Sequence, residues 1–547
     1  MRYRVLGATM VFGCLVCLAL PSGAPNAGDV CQPGSGGSAE GFDSVSAAEG
    51  GLVWNSFLGG ALRDDATGIA VDASGNVYVV GKSTTTWGTP RRRYTSGSDA
   101  YVARFSCTGA LTWNTFLGGG SDDLGTGIAV GPGGRIYVAG QSRATWGSPR
   151  RPYTGTDDMF VAELAGDGSL IWNTFLGGPS VEDNSAVAVD GGGNIYVGGT
   201  TVEDWGSPVR PYSGQDDSFI AKLTSDGSLI WNTFLGGPGG DRGLGIEADG
   251  IGNVYVAGDS WGTWGSPRRP YTGYQDAFVA KLASNGTLIW NTFLGAFGNE
   301  VAHDPAVDGG GNVYLTGNSS YTWGSPVRAY TADTDAFVAK LSGSGILIWN
   351  TFLGAGPADA GNGITVDRRG EVYVTGSSGW TWGVPQRPFT ALDDAFVAKL
   401  ASNGTIRWNT FLGGAGPDRG HDLALAPSGN LSVAGSSYIT WGSPVRRFST
   451  DWEGFAAKLQ ASGVSIDSIV SQTSKAGKPA IICGSGFSPT TSGNAVYFGA
   501  LAGAVKNATT TKLTVTIPTG CVGGKKYGVY VKVGSVKSNV VPFTVKE

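Results

Sequence analysis

LVWNSFLGG, residues 52–60, is the stretch on which the fold turns. Its Trp54 is followed by Trp113, Trp172, Trp231, Trp290, Trp349 and Trp408, each 59 residues after the last. A fixed interval of this size marks an array of structural repeats, either a solenoid or a propeller. The array opens on this phrase, with no other part of the repeat before it, and ends on GFAAKL, residues 454–459, with no further copy behind it.

Each unit reads as four short strands separated by turns. In the sixth, GITVD (363–367) is strand a, EVYVTG (371–376) strand b, DAFVAKL (394–400) strand c and IRWNTFLGG (406–414) strand d. The tight a–b turn carries a glycine at Gly75, Gly134, Gly193, Gly252, Gly311, Gly370 and Gly429, where a positive φ is expected. Four antiparallel strands per unit without a helix predict a propeller blade. The leading strand, residues 52–58, is a d strand without its a, b and c, and the last unit lacks only its d. The expectation is therefore a closed seven-bladed ring, completed by its own first strand and leaving no open sheet edge. A solenoid would need two caps and would gain nothing from complementary half-units.

These residues resemble a known family, the bacterial β-propeller repeat called SBBP. The resemblance rests on DAFVAKLASNGTLIWNTFLGA (276–296) and VDGGGNVYLTG (307–317) and runs from Leu52 to Leu459. It implies a secreted or cell-surface propeller and brings no catalytic residues with it. Beyond Ala461 the period stops. GSGF (484–487), AVYFG (495–499), LTVTIP (513–518) and SNVVPFTV (538–545) resemble an IPT/TIG immunoglobulin-like domain, which implies a small β-sandwich serving as a spacer or contact module. The domain plan is thus a signal peptide at 1–27, a Gly/Ser-rich leader at 28–50, the propeller at 51–460 and the sandwich at 464–547. Arg2, Arg4 and the apolar run from Val5 to Leu20 make the first segment an export signal. No later stretch is apolar enough to span a bilayer, so the mature chain is expected outside the cell or on its surface, with the periplasm as the other compartment.

A second phrase keeps the same interval: TWGSPRRPYT at 145–154, between strands b and c. It supplies the tryptophans Trp87, Trp146, Trp205, Trp264, Trp323, Trp382 and Trp441 and the arginines Arg92, Arg151, Arg210, Arg269, Arg328, Arg387 and Arg446. Its third member is a ring: Tyr94, Tyr153, Tyr212, Tyr271, Tyr330, Phe389 or Phe448. The d–a connection adds an acid in every unit, at Asp64, Asp123, Glu182, Asp241, Glu300, Asp359 and Asp418. In a propeller the b–c and d–a connections share a face. Sugars stack on aromatic planes and hydrogen-bond to arginine, and weak sites repeated round a ring gain avidity on a polymer. These residues are accordingly the candidate ligand-binding set, for a surface polysaccharide or another extracellular protein. The structural reading of the same residues is a tryptophan packed over its loop and an arginine bridging an acid or lying on a ring. The Trp54 series, inside strand d, is expected to pack between blades.

Little else suggests chemistry. His303 and His421 share one repeat position at the start of strand a, facing the channel, where other units hold Thr67, Thr126, Ser185, Leu244 and Asn362. Paired histidines there offer a metal site or an acid and a base, but the variety of equivalents reads as a polar structural position. Asp122 with Asp123 and Asp157 with Asp158 offer oxygen ligands for calcium, without the dense carboxylate alternation of a dedicated loop. No metal, cofactor, nucleophile motif or phosphate loop is assigned. The net charge of −5 gives no basic face for nucleic acid. Cys31, Cys107, Cys483 and Cys521 follow the export segment and allow three disulfide pairings; the pairing expected is Cys483 with Cys521 and Cys31 with Cys107. Together these readings describe an exported, non-catalytic recognition or scaffold protein, with a channel-centred lyase or hydrolase and an architectural surface component as the alternatives.

Overall fold

The computed structural model describes residues 49–547 except 450, 461–462, 472–473 and 535, so the export segment, most of the leader and Cys31 lie outside the described residues. Seven four-stranded antiparallel sheets follow one another. Blade 1 is built from Asp64–Val71, Val77–Ser83, Asp99–Phe105 and Leu111–Leu117, in the order a, b, c, d. Blades 2 to 6 repeat it, and all seven a–b turn glycines have positive φ, between 74° and 89°.

Blade 7 is completed as the half-units predict. Leu52–Leu58 pairs antiparallel with Glu453–Leu459, with Ser56 opposite Ala456 and Leu58 opposite Gly454. Trp54 and Leu58 then pack with Ile69, Val79 and Phe105 of blade 1 and with Ala434 and Ala456 of blade 7, so the seam is one apolar cluster like the others. The clusters lie between neighbouring blades: Tyr78, Val80, Val102 and Trp113 of blade 1 share theirs with Val138, Trp146 and Phe160 of blade 2. A single blade cannot bury its faces alone, which is why the interval is kept so strictly.

Trp54 and its equivalents behave as expected. In six of the seven the indole reaches the c–d turn of the next blade and donates to its carbonyl, as in Trp54 Nε1 to Cys107 O at 3.1 Å and Trp113 Nε1 to Gly166 O at 3.2 Å. The ring lies on the turn glycine: a Cβ on Gly109, at φ 80°, would sit 2.7 Å from Trp54.

The C-terminal strands are all β, as expected, but their pairing does not by itself give a two-layer sandwich. All eight strands pair in one continuous sheet, because Leu501–Ala508 pairs with both Asn494–Phe498 and Lys512–Thr516 and so joins what would be two layers. The sheet folds round on itself, since Ile466, Ile482, Val515, Val531 and Val545 share one core. It docks on the a–b and c–d side of blades 7 and 1. Buried Asp467 pairs with buried Lys458 of strand c and accepts from Ser428 and Asn430 in the a–b turn of blade 7.

The cysteine pairing also departs from expectation. Cys107, in the c–d turn of blade 1, is bonded to Cys483, in strand Pro479–Ser485, while Cys521 is a buried free thiol. Both pairings inferred from the sequence are therefore replaced. The cause is the docking itself, which brings Cys483 against blade 1 and turns Cys521 into the core of its own sheet.

Candidate functional site

The TWGSPRRPYT connection does not stand off as a loop. After leaving strand b it runs along the outer edge of strand d, with Arg91 N donating to Asn114 O at 2.8 Å and Phe116 N to Arg92 O at 3.1 Å. It thereby covers the one edge that the ring leaves open in every blade. Strand d holds it in place: Asn114 Nδ2 donates to Trp87 O at 2.8 Å, and Arg92 N donates to Thr115 Oγ1 at 3.2 Å. The equivalent asparagines repeat this contact, for example Asn173 to Trp146 O and Asn350 to Trp323 O, both at 2.8 Å. These asparagines and hydroxyl residues are functional to the fold and are visible in the sequence as the NT of WNTFL, NS in the first copy at Asn55–Ser56.

Each candidate residue can now be placed. The seven tryptophans are 3–5% exposed. Trp146 stands edge-on to Phe160 of strand c and Phe175 of strand d, at 5.1 and 6.0 Å between centroids. For six of the seven, the arginine of one blade lies over the tryptophan of the next: Arg92 over Trp146 at 5.4 Å, Arg387 over Trp441 at 5.5 Å and, across the seam, Arg446 over Trp87 at 5.4 Å. Every one of these arginines also donates twice to its own strand d and the turn after it. Arg92 Nη1 bonds Phe116 O at 3.1 Å and Nη2 bonds Gly118 O at 2.6 Å, and Arg269 does the same to Phe293 and Gly295. The third ring packs edge-on against the phenylalanine of strand d, as in Tyr94 on Phe116 and Phe448 on Phe57. The tyrosine hydroxyl then donates to loop carbonyls, Tyr94 to Thr84 O and Gly97 O. The repeated set is brought together, as the sequence suggests, but between blades: the indoles present no open face, and the arginine forks already hold carbonyls.

The acids complete this framework. Asp123 is buried at the start of strand a, with Gly119 N donating to it at 2.8 Å and Ser142 Oγ bonding it as well. Asp99, at the start of strand c, receives Thr95 N and Thr95 Oγ1. Both carboxylates crowd Gly118, where a Cβ would lie 2.5 Å from one and 3.0 Å from the other. Burial pushes the carboxyls of Asp64, Asp123, Glu182, Glu300, Asp359 and Asp418 up to about 7, and Asp241 up to about 6. The calcium candidates are otherwise engaged: Arg143 bridges Asp122 at 3.5 Å and Asp157 at 2.7 Å.

The channel holds a cavity of about 280 Å³ lined by the a strands, including His303, Asp304, His421 and Asp422. His303 Nδ1 meets Gly361 O of the next blade at 2.9 Å, the same reach made by Thr67 to Gly125 O and Asn362 to Gly420 O. His421 instead meets Ser436 of its own blade at 2.8 Å. Burial depresses both imidazoles, His421 to about 4. Asp304 and Asp422, missed by sequence reading, replace residues that are Gly68, Gly127, Ala186, Gly245 and Gly363 elsewhere. Each braces a neighbouring blade, Asp304 accepting from Ile364 N at 2.9 Å and Asp422 from Ile69 N at 2.8 Å. Burial raises both carboxyls, Asp422 to about 6, and repulsion from Asp422 adds to the rise at Asp304.

Against known proteins, the pattern of the SBBP β-propeller repeat matches residues 57–86 and 348–379. The regulatory protein FlaEY of Caulobacter vibrioides is 27% identical over 198 residues, 33% of this chain and 20% of that protein. An uncharacterized WD repeat-containing protein of Acanthamoeba polyphaga mimivirus is 22% identical over 268 residues, 39% of this chain and 19% of that one. The chain thus spans about a fifth of the length of the curated relatives it matches. Among solved structures, the extracellular region of plexin A4 gives a TM-score of 0.41 at 9% identity, covering 90% of this chain and 61% of that one. A gluconolactonase from Xanthomonas campestris gives 0.28 at 15% identity, covering 60% of this chain and 91% of that one.

Proposed function

We propose that the chain is an exported, non-catalytic recognition or scaffold protein whose working surface is the side formed by the b–c and d–a loops. One observation carries the reading. The repeated polar and aromatic groups are spent on locking blades together, whereas the loop tips on that side depart from the repeat and expose large rings, among them Trp261, Tyr321 and Trp380. Exposed aromatic clusters on an otherwise well-packed protein mark contact surfaces. The opposite side is partly taken by the C-terminal sheet, which suits a spacer or contact module of the IPT/TIG kind, and the Cys107–Cys483 bond fits an oxidising compartment.

The channel favours a second reading, a hydrolase or lyase, because His303, His421, Asp304 and Asp422 line one cavity. The two readings separate in one experiment on the full chain, which measures saturable binding of labelled protein to the surface and matrix of the producing cells alongside turnover of ester, lactone and glycan substrates. Recognition predicts saturable binding unchanged in His303→Ala and no turnover. Turnover abolished by His303→Ala or Asp422→Asn would replace it with the enzyme.

A further inference from the structure

The sevenfold pattern breaks at one place on the b–c and d–a side. Just after strand b, blades 4 to 7 carry Trp261, Tyr321, Trp380 and Tyr438, at 42, 51, 59 and 50% exposure. Trp261 and Tyr438 take the first position after the strand, where blades 1 to 3 hold Thr84, Arg143 and Val202, and Tyr321 and Trp380 take the second, where those blades hold Thr85, Ala144 and Glu203.

The floor changes with the ring. Beneath Trp261 lies Gly240, where a Cβ would come within 3.1 Å of the indole; beneath Trp380 lies Gly356, where it would touch at 3.4–3.6 Å. Gly298 and Gly416 lie by the Cβ atoms of Tyr321 and Tyr438, where an added Cβ would come within 2.8 and 3.2 Å. In blades 1 to 3 the equivalents of Gly298 and Gly416 are Leu62, Ser121 and Ser180, those of Gly240 are Arg63, Asp122 and Val181, and those of Gly356 are Ala61, Gly120 and Pro179. Blades 4 to 7 therefore each set an aromatic side chain beside a glycine of the d–a loop and leave it 42–59% exposed. Two further apolar groups rise beside them: Phe297 is 79% exposed, and Tyr274, 77% exposed, is held at φ 61°, a conformation a bulky residue adopts only at a cost.

We infer that this arc binds a neutral polysaccharide chain lying across blades 4 to 7, an assignment that rests on the recognition reading above. Exposed rings just after strand b on four successive blades suit a ligand that itself repeats, and their exposed ring surface suits the C–H side of a pyranose. Charge narrows the class. The exposed tips before strand c in blades 5 and 7 are Asp333 and Asp451, acceptors for sugar hydroxyls. The nearby cations are engaged: Arg242 pairs with Asp259 at 3.1 Å and lies over Trp261 at 4.7 Å, and Arg419 lies over Trp452 at 5.9 Å. An acidic polymer would meet carboxylates without free counter-charges. A protein partner would favour one contiguous apolar patch, whereas these rings are set apart blade by blade.

The test is retention of the purified full chain on insoluble cellulose, chitin and starch, with calcium alginate as the acidic polymer. The expected result is retention on at least one of the three neutral polymers, weakened at least about tenfold in Trp261→Ala/Trp380→Ala with the melting midpoint unchanged. Arg143→Ala, at the equivalent tip of blade 2, is expected to bind as the parent does. Retention on alginate alone, equal retention of the double variant, or no retention on any neutral polymer would overturn the assignment. In the last case, saturable binding to cells would leave the recognition reading standing, and its loss as well would remove both.

Discussion

At the scale of single residues, the repeated tryptophan, arginine and ring are best understood as an inter-blade lock. Trp146 is enclosed by Phe160 and Phe175 and covered by Arg92 of the preceding blade. Trp146→Ala is expected to cost about 3–5 kcal/mol, the range for a large buried ring, read from the urea midpoint. Arg151→Lys should cost about 2 kcal/mol, because a lysine cannot make both Nη contacts to Phe175 O and Gly177 O. An unchanged midpoint in either variant would return these side chains to the list of ligand contacts. The sequence showed these residues as a set but left their direction open, since a tryptophan beside Gly and Pro reads equally as a displayed loop or a packed one.

At the scale of elements, each strand a begins on or directly after a buried acid, and this gives the ring a pH response. Six of these carboxyls are pushed up to about 7 and one to about 6, from ordinary values near 4. A raised acid keeps its proton in the folded state after the unfolded chain has lost it, so stability falls as pH rises from about 4 through the folded value of about 7. Asp190 and Asp308, held low by their turn hydrogen bonds, act in the opposite sense at the acid end. The melting midpoint is therefore expected to be higher at pH 5 than at pH 8, and Asp123→Asn should reduce the difference; a midpoint that rises toward pH 8 would contradict the burial argument. The strands and their order were legible because alternation and the turn glycines impose them. The path of the b–c connection was not, because Gly and Pro interrupt any strand pattern and its partners, Asn114 and Thr115, look like ordinary strand polar residues. The arc was not legible for the opposite reason: its rings are where the blades differ, and Trp261 and Trp380 belong to no 59-residue series.

At the scale of the whole molecule, the ring is closed by Leu52–Leu58 and the C-terminal sheet is tied to it by Cys107–Cys483 and the buried Asp467 network. Closure followed from two complementary half-units. The disulfide did not follow, because four cysteines allow three pairings and only the docking of the two domains selects among them. Mass spectrometry of unreduced peptides should find Cys107 joined to Cys483, with Cys521 alkylated only after unfolding; a Cys483–Cys521 peptide would mean that the sheet is not fixed to blade 1. This tie holds the sheet on the a–b and c–d side, which leaves the exposed arc of blades 4 to 7 clear of it.

The division between buried frame and exposed contact surface can be read in a single footprinting measurement. The full chain is oxidised by hydroxyl radicals with and without a retained polysaccharide, and each tryptophan peptide is quantified. Trp261 and Trp380 should react quickly and become protected by the polymer, while Trp87, Trp146, Trp205, Trp264, Trp323, Trp382 and Trp441 react slowly in both states. Protection of those seven by the polymer, with Trp261 and Trp380 unaffected, would show that the repeated set is the binding surface after all.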